Sequence, residues 1–302
     1  MTTGVLLMAY GTPRSADEIL PYYTDIRRGR PPSGEQLADL TRRYQAIGGL
    51  SPLAERTEAQ RDALQEALDA AAPEQFVVGL GLKHAAPTVE TGVAALATAG
   101  VARIVGLVLA PHYSSMSIGQ YLGRAEAAAA DAGLAFTGID SWATEPSYVD
   151  FLAAEVGRWL ATMPANTKTV FTAHSLPRRI LAEGDPYPEQ VHSTAAAVAS
   201  QAGLAPWSQW AVGWQSAGRT PEPWIGPDIL ALIDDLAAAE HADGVLVCPC
   251  GFVADHLEVL YDLDIEARTR AERAGLAFER TASMNTEPSV VTALAGRVLA
   301  AA

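Results

Sequence analysis

The feature that most constrains this chain is a regular alternation of short apolar runs with alanine-rich helical stretches. The pattern predicts strands near 4–10, 75–82, 103–110, 168–174, 208–213 and 243–249. Helices are expected near 15–26, 35–47, 56–72, 87–99, 117–132, 146–161, 187–202, 227–239, 256–274 and 287–301. Glycine, proline or serine punctuates most of the junctions. Alternating strands and helices bury both faces of a parallel sheet, so the class expected is α/β. At roughly 100–200 residues per domain, 302 residues make one large or two modest domains.

Composition narrows the function classes. Apolar residues make up 49% and charged residues 19%, which excludes wholesale disorder. The longest apolar stretches, such as 104–110, fall far short of the ~18 residues that cross a bilayer. Met1-Thr2-Thr3 opens without a charged-then-apolar signal pattern, so a soluble, cytoplasmic protein is expected. Thirty-five acidic residues against 21 basic ones give a net charge of −14, which disfavours nucleic acid and anionic membranes as partners and favours a cation. Cys248 and Cys250 lie too close together to staple a long loop, and two thiols cannot supply a four-cysteine cluster. They read as buried small residues.

Two short echoes suggest an internal duplication. Leu7-Met8-Ala9-Tyr10-Gly11-Thr12-Pro13 is matched by Phe171-Thr172-Ala173-His174-Ser175-Leu176-Pro177, and Val108-Leu109-Ala110-Pro111 by Leu246-Val247-Cys248-Pro249. Two α/β halves facing each other would gather the carboxyl ends of their strands around a shared cleft, where open parallel sheets place their ligands. Tyr10, His174 and the segment after Pro249 are then the first places to look for chemistry.

Three groups of residues stand out. Glu258, Asp262 and Glu266 are spaced i, i+4, i+8, one acidic ridge on an α-helix. Carboxylates with a histidine suit a divalent metal, while Asp255 with Glu258 three later also fits a capping box and the rest a solvated face. His174 ends a predicted strand, where it is either a base or metal ligand or a turn partner. His84 is the second candidate. Five arginines (Arg27, Arg28, Arg30, Arg42, Arg43) against Glu35 and Asp39 give 27–43 a local balance of +3, which fits either carboxylate recognition or a salt-bridged face. No GxSxG, GxxxxGK[ST] or complete GxGxxG occurs. A flat apolar ligand with peripheral carboxylates, together with a divalent metal, satisfies all three groups, and a porphyrin meets that description.

At this point the chain resembles the ferrochelatases over essentially its whole length. The resemblance is carried, in order, by Met8-Ala9-Tyr10-Gly11-Thr12-Pro13, Tyr44-Gln45-Ala46-Ile47-Gly48-Gly49-Leu50-Ser51-Pro52-Leu53 and Gly81-Leu82-Lys83-His84. Ala173-His174-Ser175-Leu176-Pro177, Gly184-Asp185-Pro186-Tyr187-Pro188 and Val212-Gly213-Trp214-Gln215-Ser216 follow. Last comes Gly251-Phe252-Val253-Ala254-Asp255-His256-Leu257-Glu258-Val259-Leu260-Tyr261-Asp262. The compact coproporphyrin III ferrochelatases of Gram-positive bacteria are the nearest in kind.

That resemblance implies a class II chelatase fold: two Rossmann-like domains with parallel four-stranded sheets flanked by helices, one spanning 1–145 and completed by a C-terminal helix at 286–302, the other spanning 146–285. It implies insertion of Fe2+, a substrate rather than a resident cofactor, into coproporphyrin III to give coproheme. Protoporphyrin IX insertion is the alternative, and a non-catalytic haem- or metal-binding protein the alternative of another class. His174 and Glu258 match the family's metal pair, and Tyr10 the tyrosine that approaches iron from the opposite face. Arg27, Arg43, Tyr44, Ser51 and Tyr121 match positions lining the tetrapyrrole. Arg43, Asp262 and Glu266 match a secondary, hydrated magnesium site. A cluster-free monomer, free of membrane and nucleic acid, with a transient contact to the downstream haem-forming decarboxylase, completes the expectation.

Overall fold

The computed structural model describes residues 2–206 and 208–302. The chain divides into two compact units, one of Met1–Trp142, Ala254–Leu257 and Asn285–Ala302, the other of Ala143–Val253 and Glu258–Met284.

The first unit is built on strands β1 (Thr3–Ala9), β2 (Phe76–Leu82), β3 (Arg103–Val108) and β4 (Ala135–Ile139), all parallel in the order β2-β1-β3-β4. Its helices are α1 (Ile19–Ile26), α2 (Gly34–Ala46), α3 (Leu53–Ala71), α4 (Val89–Thr98) and α5 (Ile118–Asp131). Val5, Leu6, Leu7 and Met8 are at most 1% exposed, as expected of a central strand covered by helices on both faces. Ser33 starts α2 with a reciprocal capping box to Gln36.

The second unit repeats the plan with α6 (Pro146–Leu160), β5 (Thr167–His174), the short α7 (Arg179–Ala182), α8 (Tyr187–Gln201), β6 (Trp210–Gln215), α9 (Ile229–Ala238) and β7 (Gly244–Cys248). After a π-helix at Glu258–Ala267 come α10 (Arg268–Arg273) and β8 (Ala277–Arg280), and the parallel order is β6-β5-β7-β8. The final helix, α11 (Pro288–Ala301), belongs to the first unit and packs on α3, β3 and β4.

The sheet orders make the two echoes structural equivalents. β1 and β5 occupy the same place in their sheets, as do β3 and β7. Tyr10 directly follows β1 and His174 closes β5, so both stand where the strand order reverses, the ligand-binding edge of an open parallel sheet.

Three differences from the sequence reading have physical causes. The strands β4 and β8 are short and partly solvated, so neither carries the continuous apolar run that marks a central strand. A third echo nevertheless marks them: Ala-Gly-Leu-Ala-Phe occurs at both 132–136 and 274–278. In each copy the glycine turns left-handed at the helix end (Gly133 φ +70°, Gly275 φ +77°), and the next leucine N–H donates back five residues to Ala129 or Ala271 at 2.9 Å. The expected α-helix at 256–274 is instead ten residues of π-helix followed by one of six. Its wider turn cannot be told from α by the i, i+4 spacing of acids. The helix expected at 15–26 opens with a 3-10 turn at Ala16–Glu18.

Close packing of α4 on the sheet gives a test. A Cβ on Gly92 would lie 2.3 Å from the Leu80 carbonyl oxygen, whereas one on Gly296, inside α11, meets nothing. Gly92→Ala should destabilise the protein by about 1–3 kcal/mol through overpacking. Gly296→Ala should stabilise it by up to ~1 kcal/mol through helix propensity. Denaturant melts of the two variants check the opposite signs.

Candidate metal centre

His174 is the last residue of β5, and three bonds fix its backbone. The Tyr187 hydroxyl donates to its carbonyl at 2.9 Å, the Ser175 N–H donates to the Gln215 carbonyl at 2.8 Å, and the Ser175 hydroxyl donates to the Ile225 carbonyl at 2.7 Å. The ring's Nδ1–H donates to the Ser175 carbonyl, which assigns the neutral tautomer and leaves Nε2 to face Glu258. His174 Nε2 and Glu258 Oε1 are 3.6 Å apart, each side chain about a third exposed (34% and 36%). Trp224 flanks the imidazole, with ring centroids 6.5 Å apart.

Glu258 opens the π-helix. Its carbonyl accepts from Gln215 Nε2 at 3.1 Å, and Gln215 Oε1 accepts from the Thr172 hydroxyl at 2.8 Å. Gln215 is 1% exposed, so a buried amide ties β5, β6 and the start of the π-helix together. Asp255 pairs reciprocally with Asn285, whose amide accepts from the Asp255 N–H at 3.1 Å and donates to its carboxylate at 3.0 Å. Further along, Asp262 is nearly buried and accepts from the Ser216 hydroxyl at 2.5 Å. Ser216 holds a left-handed backbone (φ +59°), the kind of local strain that collects at functional sites.

Burial by itself would lower the His174 pKa, since the ring is packed among protein atoms although part of it still reaches solvent. The Glu258 charge 3.6 Å away, the Ser175 carbonyl and the more distant Asp262 charge outweigh that burial and raise it. The site is therefore an imidazole whose protonated form is favoured by its own carboxylate. Among the described residues, no group of three or more His, Cys, Asp and Glu side chains is arranged to hold a metal ion.

The other sequence-predicted residues lie in the first unit. Tyr10 is exposed (42%), and its ring meets His84 edge-on at 4.6 Å. Tyr121 is buried beneath the Lys83 ammonium, 5.1 Å from the ring centroid, and burial with the Arg124 and Arg28 charges pushes Lys83 down to about 8. Arg27 lies over the Tyr23 ring and donates to the Arg30 carbonyl at 3.2 Å. Tyr44 and Ser51 are buried, and Ser51 Oγ accepts from the Leu53 N–H at 3.3 Å. Arg43 pairs with Asp39 at 3.2 Å. Asp262 is engaged by Ser216 and Arg43 by Asp39, each within its own unit. Cys248 and Cys250 are fully buried, and burial pushes the Cys248 thiol up to about 12 and that of Cys250 well above its ordinary value.

Sequence reasoning named His174, Glu258 and His84; it placed Gln215 and Tyr187 only within resembling stretches, with no role, and did not name Asp25, which lies 2.6 Å from His84 Nδ1. For Gln215 the signal was a polar side chain ending an otherwise apolar strand beside β5. In the apo protein, the His174 ring proton signal should titrate above the ordinary ~6.5, and Glu258→Gln should lower that midpoint. An NMR titration with a wild-type midpoint below ~6.5 would contradict the pairing.

Comparison with known proteins now adds identity to geometry. The family model described as Ferrochelatase matches residues 2–302. The chain is 47% identical to the coproporphyrin III ferrochelatase of Geobacillus kaustophilus, covering 99% of this chain and 95% of that protein. It is 44% identical to the coproporphyrin III ferrochelatase of Bacillus subtilis, covering 98% and 96%. Among solved structures, SirB from Bacillus subtilis with Fe3+ shares the fold, with a TM-score of 0.60 at 13% identity over 100% of this chain and 96% of that one. Duplicated sheets, a histidine–carboxylate pair at a strand end and a match along the whole chain lead to one conclusion: this chain belongs to the ferrochelatase family.

Proposed function

We propose that this protein inserts ferrous iron into coproporphyrin III to give coproheme, a step of haem biosynthesis. The observation that carries the reading is the His174–Glu258 pair, a nitrogen and an oxygen donor 3.6 Å apart at the end of β5. Family membership supplies the reaction, and the names of the relatives supply the porphyrin.

The chemistry sets the roles. Two pyrrole N–H protons leave the macrocycle as Fe2+ enters, so the site must loosen the metal's water shell and accept protons. Neutral His174 Nε2 accepts them one at a time, passing the first to solvent water before taking the second, and Glu258 stabilises the imidazolium that forms each time. Glu258 also attracts the cation before transfer. A surface that binds a bent ring better than a flat one would turn the pyrrole nitrogens toward the metal, which is preferential stabilisation of the transition state. Arg27 and Arg43 take propionates, Tyr44, Ser51 and Tyr121 line the macrocycle, and Tyr10 approaches the iron once it is in the ring. Guanidinium forks suit carboxylates, and coproporphyrin offers four where protoporphyrin offers two.

Anaerobic Fe2+ insertion followed by absorbance, with both porphyrins side by side, tests the proposal. Coproporphyrin III should react faster than protoporphyrin IX, and equal rates would remove the substrate assignment. Binding without insertion of either would favour the haem- or metal-binding alternative. His174→Ala should lower insertion by ~10²–10⁴-fold while porphyrin still binds. Arg43→Ala should mainly weaken porphyrin binding with the melting temperature nearly unchanged, since its ion pair with Asp39 is partly exposed and contributes ~1 kcal/mol at most.

A further inference from the structure

Beyond the ends of β1 and β2 two more backbone bonds join the chains, Lys83 N–H to the Ala9 carbonyl at 2.9 Å and His84 N–H to the Tyr10 carbonyl at 3.0 Å. The backbones stay in close contact there. Gly11 turns left-handed (φ +86°), and a Cβ on it would fall 2.8 Å from that of Ala85. The segment bearing Tyr10 is therefore clamped to the one bearing His84. The Tyr10 ring meets the His84 ring edge-on with centroids 4.6 Å apart, a favoured aromatic geometry. His84 is held in turn: Asp25, from α1, lies 2.6 Å from its Nδ1, and the His84 side chain is 14% exposed where Asp25 is 60%. A carboxylate at Nδ1 selects the tautomer and fixes the ring plane.

We propose that His84, oriented by Asp25, is a positioning residue that sets the ring orientation of Tyr10. The functional half of this proposal rests on the reading of Tyr10 as a substrate contact; the structural half does not. Tyr10 is a partly exposed ring on a loop, and without a neighbour it would sample several rotamers. His84 restricts that choice while the protein is empty, so the ordering cost is met before substrate arrives.

Labelling the nine tyrosines with 3-fluorotyrosine and assigning Tyr10 by Tyr10→Phe gives a direct readout by fluorine NMR of the substrate-free protein. His84→Ala should move the Tyr10 resonance toward that of the free amino acid, His84→Phe should hold it near the wild-type position, and Asp25→Ala should move it part of the way. An unmoved resonance in His84→Ala would overturn the proposal. Asp25 is exposed enough to remove without opening a core, so Asp25→Ala remains informative if His84→Ala fails to fold, and an unmoved resonance there would remove Asp25 from the device. In iron insertion, His84→Ala should lower kcat about tenfold, with KM for porphyrin changed less than about twofold. Made in a Tyr10→Phe background, the same substitution should cost less than about twofold more. An equal cost in both backgrounds would show that His84 does not act through Tyr10. Full activity of Tyr10→Phe would instead remove the substrate role of Tyr10, while the NMR response to His84 would still stand.

Discussion

Everything at the candidate metal centre depends on one contact, the approach of His174 Nε2 to the Glu258 carboxylate. Neither residue would be unusual alone. Together they make a nitrogen base whose proton is favoured by its neighbour, beside an oxygen donor that attracts a cation. The Ser175 carbonyl settles the tautomer from the other side of the ring.

The scaffold explains how these groups come to be placed. Each unit carries a parallel sheet with the same strand order, and the equivalent strands β1 and β5 end in the echoed segments. One copy presents Tyr10 and the other His174. The buried amide of Gln215 then joins β5 and β6 to the first turn of the π-helix, so the Glu258 backbone is anchored to the sheet that carries His174. A ten-residue π-helix is rare, because its hydrogen bonds reach i+5 and its packing is poorer than that of the α form. Here its start is tied by Gln215, and one turn later Asp262 is tied by Ser216.

How much of this was legible in the sequence follows from what each element buries. Strands β1, β3, β5 and β7 are buried on both faces and so read as apolar runs. The edge strands β4 and β8 are half solvated and have no such run, though the repeated Ala-Gly-Leu-Ala-Phe marks both. His174 and Glu258 were visible as a strand-end histidine and an acidic ridge, but only the family resemblance paired them, since they lie 84 positions apart in a chain of 302. The link from Asp25 to His84 was hidden for the same reason. The arginine-rich stretch at 27–43 was visible as charge, but not its division between Arg27 on Tyr23 and Arg43 on Asp39.

The most direct test of the central claim is to locate the metal itself. Crystals soaked anaerobically with Fe2+ and measured at the iron absorption edge should show anomalous density bound to both His174 Nε2 and a Glu258 oxygen, at metal–ligand distances near ~2.0–2.2 Å by analogy with other first-row ions. Iron bound only along Asp262 and Glu266, with His174 and Glu258 unliganded, would contradict the account.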